Sequence, residues 1–219
     1  MLSFLPAPSR VDLSAMRRQF LALRPSGGFK LIYADPAWCW DAYSDAGLGK
    51  SPEGHYDTML DEDILRMPVP ILAADNSVLA LWATFPKLPL ALDVMHAWGF
   101  EYRTGGAWGK ARKDGTGLAM GTGYIFRSAA EILLIGVRGA PRAMSRSILN
   151  CWITDAIEDL DGQAFWHLPR REHSRKPDQI RDDLAKLFPA PRIELFARQR
   201  FDGWAAWGNQ MDKFGEVAE

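Results

Sequence analysis

Four short apolar runs punctuate this chain: Lys30–Ala34, Ser77–Thr84, Glu131–Val137 and Arg192–Ala197. Each is strand-sized and almost continuously apolar, as expected of strands covered on both faces. Between them lie segments with helical spacing of apolar residues, at 13–24, Asp61–Met67, Pro86–Trp98 and Pro177–Phe188. Pro25 and Gly99 stop the first and third, and prolines open the last two. Tyr102–Lys110 and Trp204–Trp207 read as further strands. Strands alternating with helices predict an α/β domain, a mostly parallel sheet with helices on both faces.

With 219 residues, 47% of them hydrophobic, one well-filled core is the economical reading. The expected division is a helical extension over 1–28, a main domain over 29–212 and a tail over 213–219. A net charge of −1 excludes a uniformly basic nucleic-acid coat, so any nucleic-acid contact must be a local patch. Two cysteines, Cys39 and Cys151, make no disulfide framework, and no stretch has the length or character of a signal peptide or membrane span. A cytoplasmic protein is expected. The four histidines and two cysteines lack ligand spacing, so no metal is expected. Nine tryptophans are expected mostly in the core, although base stacking also uses such rings.

The first apolar run ends in Asp35-Pro36-Ala37-Trp38. In open α/β sheets, ligands bind at the carboxyl ends of strands, where Asp35 stands. Pro36 restrains both its own φ and the residue before it. The turn therefore presents two fixed acceptors, the Asp35 carboxylate and the Pro36 carbonyl, followed by a flat ring. An exocyclic amine offers two N–H donors and a delocalised lone pair. Two acceptors gripping both hydrogens favour a pyramidal, more nucleophilic nitrogen, which is stabilisation specific to the transition state. Trp38 would stack on an extruded base. An ordinary strand-ending turn with a packed tryptophan gives the same four letters.

Further blocks run in order along the chain: Tyr33–Trp38 (YADPAW), His55–Met59 (HYDTM), Leu79–Trp82 (LALW), Ala97–Phe100 (AWGF), Trp108–Lys110 (WGK), Gly121–Tyr124 (GTGY), Arg171–Asp178 (REHSRKPD), Ile193–Arg198 (IELFAR) and Trp207–Gln210 (WGNQ). With these blocks the chain resembles the MT-A70 family of adenine-N6 methyltransferases, especially its compact bacterial and phage members. The resemblance covers about Phe29 to Gln210. It implies a Rossmann-like S-adenosylmethionine-dependent fold with permuted motif order, S-adenosyl-L-methionine as cofactor, and direct in-line methyl transfer. Asp35 and the Pro36 carbonyl would hold the target amine beside Trp38. Tyr56 would lie over the transfer site from a first loop, and Lys176 in a second loop would meet the cofactor carboxylate. Ala34 and Asp35 end the strand at the cofactor. Glu194, Phe196 and Arg198 would position its ribose, and Asn209 and Gln210 its adenine. The family motif is D-P-P-W. Here Ala37 stands at the third position, which frees one φ and adds an N–H but leaves both acceptors.

Toward the nucleic acid the expected contacts are Ala37, Trp38, Tyr56, Lys110, Arg127 and Glu131. To these are added Arg170, Arg171 and Arg175 as phosphate contacts, a solvated charged face being the bland reading of that run. Arg127 reads equally as surface, and Glu131 as a buried structural acid. The compact form implies DNA as substrate. An RNA adenine methyltransferase and a non-catalytic nucleic-acid-binding partner subunit stand as alternatives, and a homodimer is left open.

Overall fold

Strand β1 (Phe29–Ala34) sends its side chains alternately into two apolar cores. Ile32 and Ala34 enter one, and Leu31 and Tyr33 enter the other. β2 (Ala73–Ala83) divides likewise, with Leu79, Leu81 and Ala83 opposed to Val78, Ala80 and Trp82. That two-sided burial explains why both strands are apolar at consecutive positions. The computed structural model describes residues 11–39, 58–110, 112, 117–121, 123, 125–153 and 176–211.

One face of the sheet is covered by α1 (Leu13–Leu23), α2 (Asp61–Leu65) and α3 (Leu88–Ala97), which bury Met16, Phe20, Ile64, Ala91, Val94 and Met95. The other face is covered by α4 (Asp178–Leu187) through Ile180 and Leu184. The remaining strands are β3 (Glu101–Gly109), β4 (Ala130–Arg138), β5 (Cys151–Ile153), β6 (Arg192–Leu195) and β7 (Ala205–Trp207). The sheet order is β5-β3-β4-β2-β1-β6-β7. β4 runs antiparallel to both of its neighbours, and every other pairing is parallel. The expected mostly parallel, Rossmann-like α/β sheet with helices on both faces is therefore observed. From β1 the chain first builds outward on one side, through β2, and later returns to place β6 on the other. The crevice at the carboxyl ends of β1 and β6 is thus a topological switch point.

Local details follow from sequence chemistry. Asp12 caps α1, accepting from the N–H groups of Ser14 (2.9 Å) and Ala15 (3.0 Å). Gly99, at φ 81°, follows the end of α3. α1, read from sequence as part of an extension, packs Met16 and Phe20 into the same core as α3, and Phe20 meets Trp207 edge-on at 5.1 Å. β5 was not expected. Three residues are too few for a period-2 signal, and its place is made by β3, where a Cβ on Gly106 would lie 2.4 Å from the Trp152 ring.

Three of the core tryptophans have capped indoles. The N–H of Trp82 donates to the Tyr33 hydroxyl (2.7 Å), that of Trp98 to the Ile64 carbonyl (2.9 Å) and that of Trp152 to Asp183 (3.2 Å). No helix among the described residues is long and apolar enough to cross a membrane.

Candidate active site

Asp35 is the first residue past β1, so the end of the strand delivers its carboxylate to the switch-point crevice. Behind it the turn is closed tightly. The Trp38 N–H donates to the Pro36 carbonyl (2.8 Å), and the Met59 N–H donates to the Ala37 carbonyl (3.0 Å). The three-residue turn and the bridge to Met59 supply the restraint that a second proline would otherwise give. The Pro36 carbonyl retains a second lone pair for a ligand.

Two of the residues expected at the site turn their side chains into the core. The Trp38 ring is only 5% exposed, packs in the core, and donates its indole N–H to the Trp82 carbonyl at 3.2 Å. It anchors the turn from beneath and does not offer an open face to a base. The cause is the extended backbone at the bridge, which sends the ring inward. The Ala34 methyl is likewise fully buried in the core, because alternation along β1 points it away from the crevice. Trp38→Ala should therefore cost about 3–5 kcal/mol of folding stability, read as the shift in a urea unfolding midpoint.

A chain of alternating charges runs away from Asp35. The Lys176 ammonium lies 2.7 Å from both Asp35 oxygens and 3.1 Å from Glu131 Oε2. Glu131 in turn pairs with Lys110 through its other oxygen. Lys176 also sits 5.3 Å from the centre of the Trp82 ring, and Lys110 5.4 Å from that of Trp108. Only 8% of the Lys176 side chain is exposed. Burial alone would lower the Lys176 pKa, but the Asp35 and Glu131 carboxylates outweigh it and hold the ammonium well above its ordinary value. Burial would raise Glu131, yet Lys176 and Lys110 together bring it below the usual carboxylate range.

A solvent-open cleft adjoins this chain, lined on the β1 side by Tyr33 and Asp35, on the α4 side by Lys176, Asp178 and Arg181, and on the β6 side by Glu194, Phe196 and Arg198. Glu194 projects from β6 on the face opposite Ile193 and Leu195, with 18% of its side chain exposed. Its Oε2 is buried and has no hydrogen-bond partner among the described residues. Burial, reinforced by Asp35 and Asp178 and opposed by Arg181 and Arg198, raises the Glu194 carboxyl to about 7. Burial, with the charge of Glu194, pushes the Tyr33 hydroxyl well above its usual range, so it stays neutral and accepts from Trp82.

Phe196, next in the chain after β6, has φ 61°, a strained value for a bulky residue, and its ring meets Trp207 edge-on at 5.9 Å. The turn holds because Gly208 lies directly against it. A Cβ there would come 2.3 Å from the Ala197 carbonyl oxygen and 2.7 Å from the Ala197 nitrogen. Gly208→Ala should force β6 and β7 apart at this end, destabilising the fold by about 1–3 kcal/mol and weakening any ligand held by the Phe196 turn. Thermal melting and calorimetric titration check the two effects.

Of the residues expected from sequence, Asp35, Lys176, Glu194, Phe196 and Arg198 line one cleft, and Lys110 and Glu131 join it through ion pairs. Pro36 and Ala37 form the turn below. Exposed Asn209 and half-buried Gln210 follow Gly208 beyond β7 and are not among the residues lining the cleft. Arg127 is exposed on the β3–β4 connection and donates from Nε to the Gly121 carbonyl (2.9 Å). Tyr56, Arg170, Arg171 and Arg175 lie outside the described residues. Sequence reading missed Tyr33, Asp178, Arg181, Gln199 and Phe201. A signal existed for Arg181, which shares the buried stripe of α4 with Ile180 and Leu184 and is itself 6% exposed.

The MT-A70 family model matches residues 29–210. The chain belongs to the MT-A70 family. This is a family of S-adenosylmethionine-dependent adenine-N6 methyltransferases. The MT-A70 relatives include the type II methyltransferase M.MunI of Mycoplasma sp, 28% identical over 204 residues that cover 84% of this chain and 78% of that protein. They also include the human N(6)-adenosine-methyltransferase catalytic subunit METTL3, 28% identical over 198 residues covering 89% of this chain. The Drosophila melanogaster MT-A70-like N(6)-adenosine-methyltransferase is 29% identical over 198 residues, again 89% of this chain. The matched region is 30% of human METTL3 and 29% of the Drosophila protein, so this MT-A70 chain spans less than a third of those two relatives.

Proposed function

We propose that this chain binds S-adenosyl-L-methionine and methylates the N6 amine of adenine in DNA. The observation that carries the reading is the Asp35 carboxylate, held beside the Pro36 carbonyl at the carboxyl end of β1 and facing the switch-point cleft. The cleft suits the cofactor chemically. Lys176 is a buried cation for its carboxylate, and Glu194 is a part-exposed carboxylate on the cleft wall for ribose hydroxyls. The Phe196 turn and Arg198 complete that wall, and Asn209 and Gln210 beyond β7 are assigned to its adenine. When bound, the cofactor supplies an electrophilic methyl group on a sulfonium.

The protein's own part is to position and to polarise. Asp35 and the Pro36 carbonyl accept the two N–H hydrogens of the target amine, raising the nucleophilicity of its nitrogen. Lys176 fixes the carboxylate by bonding both of its oxygens, each of which keeps a lone pair for the amine. Trp38, from the core, holds the turn rigid so that this geometry is preformed. Tyr56, Arg127, Arg170, Arg171 and Arg175 are assigned to the nucleic acid.

DNA is preferred because the chain aligns with most of M.MunI, named as a type II methyltransferase, whereas it covers less than a third of METTL3. The names of the METTL3 relatives support RNA as the second reading. Transfer of radiolabelled methyl groups to DNA and RNA oligonucleotides separates the two. DNA should be labelled on adenine N6. Labelling of RNA alone would reverse the substrate assignment, and labelling of neither would favour a partner subunit.

A further inference from the structure

The Glu194 carboxylate lies among charges from three directions. Tyr33 and Asp35 face it from β1 and the residue just past it, Asp178 and Arg181 from α4, and Arg198 from the turn beyond β6. Arg181 is the best fixed of these groups. Its guanidinium carbon sits 3.1 Å from the centre of the Phe201 ring, its Nη1 is 3.3 Å from Asp178, and its Nη2 is 3.5 Å from Asp182. Nη1 stands 4.0 Å from Glu194 Oε2, close enough for strong Coulomb attraction and too far for a hydrogen bond. Arg181 Nε and Glu194 Oε2 are buried atoms with no hydrogen-bond partner among the described residues. Arg181 therefore supplies charge to Glu194 without a hydrogen bond to it, and 18% of the Glu194 side chain stays exposed at the cleft.

We infer that Arg181 is a positioning residue for Glu194: from 4.0 Å it favours the ionised carboxylate, and so sets the pH above which the cleft accepts a ribose diol. This rests on the assignment of Glu194 to the cofactor ribose. The physical reason lies in the balance of charge. Burial, reinforced by Asp35 and Asp178 on the same cleft, drives Glu194 toward its neutral form. A neutral carboxyl accepts hydrogen bonds more weakly than an ionised one. Among the groups that favour the charged form, Arg181 comes ahead of Arg198.

Two measurements test this on the 219-residue chain. Carbon NMR of the Glu194 carboxyl, assigned by its loss in Glu194→Gln, gives the titration midpoint without ligand. Calorimetry with S-adenosylhomocysteine across neutral pH gives the affinity profile, and comparing variants cancels the ligand's own titration. Arg181→Met should raise both midpoints by at least about one pH unit, read below the midpoint as roughly tenfold weaker binding. Arg181→Gln, a polar neutral replacement, should repeat the shift and serves if the methionine variant fails to fold. A residue that merely packs α4 against the sheet would lower the melting temperature and leave both midpoints unmoved, and that result in a folded variant overturns the inference. Failure of the wild type to bind S-adenosylhomocysteine, with the NMR midpoint still shifting, overturns the ribose assignment and with it the proposed function, while leaving the coupling between Arg181 and Glu194 established.

Discussion

Asp35→Asn is expected to lower methyl transfer by at least about 10³-fold while leaving the fold intact. Asparagine keeps the size of the side chain and one acceptor oxygen. It replaces the other oxygen with an NH₂ that opposes the N–H groups of the incoming amine. The loss should fall on kcat, because the interaction matures as the nitrogen pyramidalises, and cofactor affinity should change by about tenfold at most. Folding should survive because Lys176 retains Glu131 at 3.1 Å and Asp35 keeps 24% of its side chain exposed. Single-turnover transfer, with circular dichroism as the control for folding, checks this. Turnover within tenfold of the wild type would defeat the assignment of Asp35.

The second large effect is a conflict between stability and binding at Glu194. The ordinary value of its carboxyl is 4.5, and in the folded protein it is raised to about 7. A raised acid favours the folded state below the unfolded value, and that contribution is lost as pH rises through about 7. At slightly alkaline pH the unliganded protein therefore carries a penalty for ionising Glu194. The upper bound of that penalty is about 3 kcal/mol, and the remaining 18% exposure makes the real figure smaller. Glu194→Gln should remove the penalty, raising the melting temperature above neutral pH by a few degrees and leaving it unchanged near pH 4. The same substitution removes the charge that ribose hydroxyls would meet, so S-adenosylmethionine should bind about 10–100-fold more weakly. Melting curves across pH and calorimetric titration together read both signs. A variant less stable than wild type at alkaline pH would show that Glu194 is held by contacts and not strained by burial.

Most of the scaffold was legible in the sequence because it obeys local rules. The apolar runs of β1 and β2 announce strands buried on both sides, and the spacing of Met16 and Phe20 announces a helix face. Pro36 after Asp35 marks the end of β1 with the carboxylate at the ligand-binding edge. The ordered blocks from Tyr33 to Gln210 led to the family. The direction of the Trp38 ring was not legible. An aromatic after an acceptor turn looks the same in sequence whether its ring faces a base or the core, and the bridge to Met59 decides the matter.

The sequence by itself determined the order of the longer strands and helices and the placement of an acid at the carboxyl end of β1. Only the tertiary structure decided which charges meet. Lys176 reaches Asp35 across 141 positions, and Arg181 comes within 4.0 Å of Glu194 because α4 packs over the face from which β6 projects that side chain. Backbone periodicity is a local property, written in neighbouring letters. Desolvation and Coulomb coupling depend on distance through space and on what excludes water, and both arise only once the sheet and its covering helices are assembled.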